Sequence, residues 1–152
     1  HLRGAPLGEL FSGAAEPLSM EGKPQMFRDH QADKAVWDSA CLCYFPGYGM
    51  KLKELCQLVN AATGFDYPSV RDFERIGERI STLARLFNVR EGFARPADTL
   101  PERNLSQPLP VGAGGGQVVD LAPMLDSYYR LMGWDENGVP TPERLRELEI
   151  GD

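Results

Sequence analysis

A chain of 152 residues with 42% hydrophobic side chains is long enough for one domain and a buried core without disulfide staples. Its formal charge of −6 argues against a nucleic-acid backbone or an anionic membrane as partner, since both select for an excess of Lys and Arg. No apolar run reaches the roughly eighteen residues of a membrane-spanning helix, and an odd count of 3 cysteines makes no disulfide framework. The free thiols point to a reducing, cytoplasmic setting. The start, His1-Leu2-Arg3-Gly4, lacks both an initiator Met and the apolar core of a secretory signal, and reads as a piece cut from a longer chain.

In chain order, residues 1–19 mix Gly4, Pro6, Gly8, Gly13 and Pro17 with short apolar pieces and hold no period. A first helix is predicted from Ser19 as N-cap, with Glu21 in its first turn and Pro24 early enough to be tolerated. Its stripe is Met26, Phe27, His30, Lys34, Trp37 and Cys41, and it stops at Pro46-Gly47. A second helix spans Lys51 to Thr63, with Leu52, Leu55, Cys56, Val59 and Ala62 on one face and Gly64 as its C′ residue. Cys56 reads as a small buried hydrophobe.

The third helix is the clearest. Ser69 and Asp72 resemble a capping box, and Val70, Phe73, Ile76, Gly77, Ile80, Leu83, Ala84 and Phe87 form a long stripe. Gly77 inside it costs roughly 1 kcal/mol against alanine, which predicts a close helix crossing. Arg71, Arg75, Arg79 and Arg85, with Glu74 and Glu78, read as a solvated charged face. Residues 93–119 are rich in proline and glycine and are expected as a long flexible loop. Its glycine run, Gly112-Ala113-Gly114-Gly115-Gly116, is not a phosphate loop, because no Lys-Ser/Thr follows it. Asp120 opens a helix through Met132, closed by Gly133. Thr141 caps a short last helix with Pro142 at N1. No alternation of period two stands out, so the expectation is an all-α domain, an irregular set of about five helices with long loops, over 1–152.

Chemistry concentrates in Val36-Trp37-Asp38-Ser39-Ala40-Cys41-Leu42-Cys43-Tyr44-Phe45. Thiolates suit soft metals and iron–sulfur clusters, but such a cluster wants four ligands. Cys41 and Cys43 lie together, with Cys56 apart on a core face. The residues alone leave two readings open, a partial metal site or an ordinary helix end with buried thiols. A Cys–His nucleophile would have to use His1 or His30, and His30 lies on a packing stripe.

The same residues carry a resemblance. Asp38-Ser39-Ala40-Cys41-Leu42-Cys43 is similar to the D-x-x-G-L-C molybdopterin motif of the tungsten-containing aldehyde ferredoxin oxidoreductases. Asn60-Ala61-Ala62-Thr63-Gly64, Ile76-Gly77-Glu78-Arg79-Ile80, Asp98-Thr99-Leu100-Pro101-Glu102-Arg103 and Gly133-Trp134-Asp135 resemble further family segments in colinear order. The resemblance implies the last helical domain of an enzyme that oxidises aldehydes to carboxylic acids and passes electrons to ferredoxin. It implies a tungsten or molybdenum bis-pterin and a 4Fe-4S cluster in the full-length enzyme, with none bound in this piece, which would be inactive without the missing N-terminal domains. Residue by residue, Cys43 stands at the fourth cluster ligand, the other three coming from an upstream C-x-x-C-x-x-x-C run. Asp38 and Leu42 stand at pterin contacts, by carboxylate and by main chain. His1 resembles a histidine beside the metal, a catalytic proton donor or orienter, and Arg3 a basic residue on the cofactor phosphate. The motif's glycine is Cys41 here. Two alternatives are a subunit of a related aromatic acyl-CoA reductase and a helical interaction domain without cofactor.

Overall fold

The structure, a computed structural model, describes residues 19–112 and 115–151. Among them are six α-helices: α1 Lys23–Ser39, α2 Leu52–Thr63, α3 Val70–Arg90, α4 Glu102–Ser106, α5 Leu121–Met132 and α6 Pro142–Glu147. Two 3-10 turns, Phe45–Tyr48 and Arg95–Ala97, complete the regular structure. The described residues form no strand, only the isolated bridges Leu109–Gly115 and Trp134–Pro140. The all-α expectation holds, with one helix more than the periodicity suggested.

The helix starts follow local chemistry. The Ser69 hydroxyl accepts from the Asp72 N–H at 3.2 Å and caps α3. Thr141 does the same for α6, accepting from the Arg144 N–H at 3.2 Å with Pro142 in the first turn. Glu54 accepts from the Lys51 N–H at 2.9 Å ahead of α2. Ser19, in contrast, does not cap α1. Its hydroxyl accepts from the Glu21 N–H at 3.1 Å in a local turn, and the helix begins at Lys23 behind Gly22, whose φ of 72° only glycine adopts freely.

Helix α1 is the spine. It lies against α3 along one side and α5 along another, and α2 packs on α3. One core joins Val36 and Trp37 of α1 to Leu52, Leu55 and Cys56 of α2 and Phe73 of α3. Cys56 is buried, as its place on the α2 stripe suggested. A second core gathers Tyr129, Met132 and Trp134. The crossing of α1 and α3 is a contact of main chains: a Cβ built on Gly77 would lie 2.1 Å from the Ala32 carbonyl oxygen. That accounts for a glycine in mid-helix.

The charged residues of α3 depart from the sequence reading. Glu78 and Arg85 are buried, at 4% and 7% exposure, rather than part of a solvated face. The Glu78 carboxylate accepts from Arg144 at 2.7 Å and from Arg71 at 3.0 Å. Arg85 donates to both Asp98 oxygens at 2.9 and 2.6 Å and to the Gly138 carbonyl at 2.7 Å. Leu83 and Phe87, assigned to the packing stripe, are instead about half exposed. The reason is that α3 turns Phe73, Gly77, Glu78, Ser81, Thr82 and Arg85 inward, toward partners brought from residues 98, 138 and 144.

The stretch 93–119 contains α4 and the Arg95–Ala97 turn. It is tied down at several points. The Arg95 N–H donates to the Asn137 carbonyl and the Val119 N–H to the Asn104 carbonyl, both at 3.0 Å. Asp98 is held by Arg85 and by the Tyr129 hydroxyl.

Candidate functional site

The motif of residues 38–43 begins on the last turn of α1 and runs off its end. The helix was expected to reach Pro46, but it stops at Ser39. Cys41 has φ 56°, the left-handed region. Its N–H donates to the Asp38 carbonyl at 3.1 Å, and the Leu42 N–H reaches back to the Trp37 carbonyl at 3.4 Å. That pair of bonds is a Schellman helix end, with Cys41 at C′ and Leu42 at C″. Glycine is the favoured C′ residue, since an L side chain there crowds the following carbonyl. The glycine of the D-x-x-G-L-C motif thus acquires a structural reason: it turns the chain off a helix.

The chain beyond the turn is anchored to α1 by Tyr44. Its ring meets Trp37 edge-on at 5.9 Å between centroids, and its hydroxyl lies 3.4 Å from His30 Nδ1. The Lys34 ammonium sits 5.0 Å above the same ring. Partial burial and the Lys34 charge hold the His30 pKa below its ordinary value. Burial, with Asp33 nearby, pushes the Tyr44 hydroxyl up. His30 is therefore a packed neutral group, in keeping with its place on the stripe.

Around the turn, the candidate groups face outward. The Asp38 carboxylate accepts from Lys34 at 3.0 and 3.3 Å in an i,i+4 pair with both ends well exposed. Such a pair holds only a few tenths of a kcal/mol, so another donor can take the carboxylate. Leu42 is 43% exposed, and its N–H is committed to the helix end. Cys41 and Cys43 are both free and exposed, which removes the reading of a helix end with buried thiols. Beside Leu42 an apolar groove of about 570 Å³ runs between Val36, Leu58, Val59, Phe65 and Ile76. Among the described residues no group of three or more His, Cys, Asp or Glu gathers to hold a metal unaided. The turn presents two exposed thiols, one exposed carboxylate and a hydrophobic wall. His1 and Arg3 lie outside the described residues.

A second concavity, about 690 Å³, opens between α1, α3 and α5. Its apolar wall includes Met26, Phe27, Met124 and Leu125, and its polar side is Asp98, Arg85 and Tyr129. Burial pushes the Asp98 carboxyl up, but the bonds from Arg85 and Tyr129 outweigh this and hold it below the usual carboxylate range. Burial and the bond to Asp98 push the Tyr129 hydroxyl up to about 12. The Arg85 guanidinium also lies 5.0 Å over the Trp134 ring. Reading the sequence for function missed this cluster. The signal was present in Asp98-Thr99-Leu100-Pro101, but nothing local ties Asp98 to Arg85 or Tyr129.

A family model described as aldehyde ferredoxin oxidoreductase, domains 2 & 3, matches residues 1–150. The tungsten-containing aldehyde ferredoxin oxidoreductase of Pyrococcus horikoshii is 44% identical over 117 residues, 76% of this chain and 19% of that protein. Its namesake from Pyrococcus furiosus is 44% identical over 120 residues, 78% of this chain and 20% of the relative. An aliphatic sulfonate oxidoreductase, WOR-like subunit, also from Pyrococcus furiosus, is 32% identical over 130 residues, 78% of this chain and 20% of that protein. The chain thus spans about a fifth of the length of the curated relatives it matches. In fold it is similar to a chain of the active site complex BamBC of benzoyl coenzyme A reductase, with TM-score 0.70 at 20% identity over 91% of this chain and 20% of that one.

Proposed function

The chain belongs to the aldehyde ferredoxin oxidoreductase family, and from that premise we propose that it is the helical, cofactor-clasping part of a tungsten enzyme that oxidises aldehydes to carboxylic acids. Aldehyde and water give the acid, two protons and two electrons; a 4Fe-4S cluster, held in part by Cys43, would supply the electron path to ferredoxin. A metal held by pterin dithiolenes supplies the two-electron redox chemistry when bound. This chain's residues supply its seat.

The observation that carries the reading is the end of α1, where Asp38, Leu42 and Cys43 fall within six residues at a backbone-closed helix end. The Asp38 carboxylate serves as a bidentate acceptor for the amino and imino donors of a pterin ring, leaving Lys34 to do so. Because the Leu42 N–H is spent on the Trp37 carbonyl, Leu42 contributes its carbonyl to the pterin. Cys43 gives a thiolate to the 4Fe-4S cluster, with three more cysteines from upstream. The apolar groove beside Leu42 supplies a hydrophobic wall on that side. His1 holds or delivers a proton near the substrate, and Arg3 neutralises cofactor phosphate. Tungsten is favoured over molybdenum by the relatives' names, and exposed free thiols suit the reducing cytoplasm.

The full-length protein, purified anaerobically, tests this. Tungsten or molybdenum at near one per chain, iron at near four, and aldehyde-dependent reduction of ferredoxin are expected. A protein with neither metal nor iron refutes the reading. Reduction of an aromatic acyl-CoA without aldehyde oxidation would move it to the reductase branch that the BamBC-like fold brings to mind.

A further inference from the structure

The cavity between α1, α3 and α5 has no part in the function above. Its volume of about 690 Å³ falls within the roughly 300–1,000 Å³ of small-molecule sites. On α1 it is lined by Phe27 and Gln31, and Gln31 precedes Asp38 by two turns, about 10 Å of helix. The cavity is therefore separate from the motif at the helix end.

Its charges are closed on one another. Arg85 donates to both Asp98 oxygens, the Tyr129 hydroxyl donates to one of them, and Lys23 is engaged as well. A charged visitor would lose its water and find no counter-ion. Two neutral donors are left over. Gln31 spends its carboxamide oxygen on the Tyr128 hydroxyl, and its N–H2 meets no acceptor among the described residues. The Trp134 indole N–H is buried and unpaired among them too, and a donor in that condition calls for a partner. The walls are apolar: the thioethers of Met26 and Met124, and the rings of Phe27 and Tyr128, which meet edge-on at 5.4 Å between centroids. Thioethers and ring edges suit the face of another aromatic ring.

We propose that this cavity binds an uncharged aromatic molecule carrying a carbonyl oxygen. The ring packs against Phe27, Tyr128 and the methionines, and the oxygen accepts from the Gln31 N–H2. The binding is non-covalent and needs neither the metal nor the cluster assigned above.

The test uses the full-length protein and acetophenone, a ketone that lacks the aldehyde hydrogen and so is not consumed by aldehyde oxidation. Saturation-transfer NMR and calorimetric titration read the binding. Wild type should take up one acetophenone per chain with a Kd below about 1 mM. α-Methylstyrene, which has a CH2 in place of the oxygen, should bind about tenfold more weakly, and benzoate should not compete. Gln31→Glu keeps an acceptor for Tyr128 but removes the donor. It should weaken acetophenone about tenfold and leave α-methylstyrene within about twofold, which a collapsed cavity would not do. Ala84→Phe fills the cavity from α3 and should abolish binding of both. A wild type that takes up no acetophenone, as when the rest of the full-length chain fills the cavity, overturns the inference. So does binding that both variants leave unchanged, since the ligand then sits elsewhere. Neither result bears on the metal reading, which stands on tungsten and iron content.

Discussion

Replacing Cys41 by glycine should stabilise the chain, although it removes a side chain and adds backbone freedom. Cys41 holds φ 56° at the C′ position of α1. An L residue there carries about 1–2 kcal/mol of crowding between Cβ and the next carbonyl. Glycine removes that term, but its unfolded chain is freer by about 0.5–1 kcal/mol. The remaining contact of the thiol, 3.9 Å to the Ser39 carbonyl, is weak. The net expectation is a gain of about 0.5–1 kcal/mol. For a chain of this size that raises the midpoint by about 1–4 °C. Calorimetric melts of wild type, Cys41→Ala and Cys41→Gly under reducing conditions measure it. Alanine keeps the Cβ and loses the thiol, so it should stay within about 0.5 kcal/mol of wild type. If alanine gains as much as glycine, the backbone argument fails and the thiol itself was the destabilising group.

Gly77→Ala should prevent α1 and α3 from meeting, costing at least about 3 kcal/mol and lowering the helical melt sharply. Because the atoms in the way belong to the Ala32 main chain, adding Ala32→Gly should not restore it. Asp98→Ala should lower the urea midpoint by the equivalent of about 3 kcal/mol at unchanged slope, since it strands the buried Arg85 charge. The carboxyls of Asp98 and Glu78 are held below their ordinary values: burial raises both, and their arginine and tyrosine bonds outweigh it. Their contribution is therefore complete only above the ordinary values of 3.8 and 4.5, from about pH 5 upward, and is lost as pH falls through the folded values, visible as acid unfolding that Asp98→Asn blunts. Tyr129 runs the other way. Raised from 10.0 to about 12, it contributes fully below the lower value and fades between the two. A denaturation midpoint that stays flat across that alkaline window would contradict the Tyr129–Asp98 bond.

Helix positions were legible because caps and stripes are local. Ser69, Thr141 and Gly64 announce their roles within four residues, and the structure honours all three. The crossing at Gly77 was legible from its cost alone. The burial of Glu78 and Arg85 was not. A glutamate and an arginine at helical spacing look the same whether water or Arg144 and Asp98 surrounds them, and those partners lie far along the chain. The motif at residues 38–43 was readable as residues but not as geometry. Only the backbone angle at Cys41 tells that the motif's glycine is a helix terminator. Asp98, Arg85 and Tyr129 come together by tertiary folding, so no window of sequence could join them.

The meeting of Gly77 with Ala32 also sets a mechanical limit. With no side chain between the two main chains, a rocking of α1 toward α3 presses directly on its backbone. From Ala32 to the end of α1 at Ser39 is a lever of roughly 10 Å. A tilt of a few degrees at such a fulcrum moves the tip by less than about 1 Å. Positional error at the thiol of Cys43 is thereby set by how firmly α3 is seated, and substitutions far down α3 should register there as blurring before they register as unfolding.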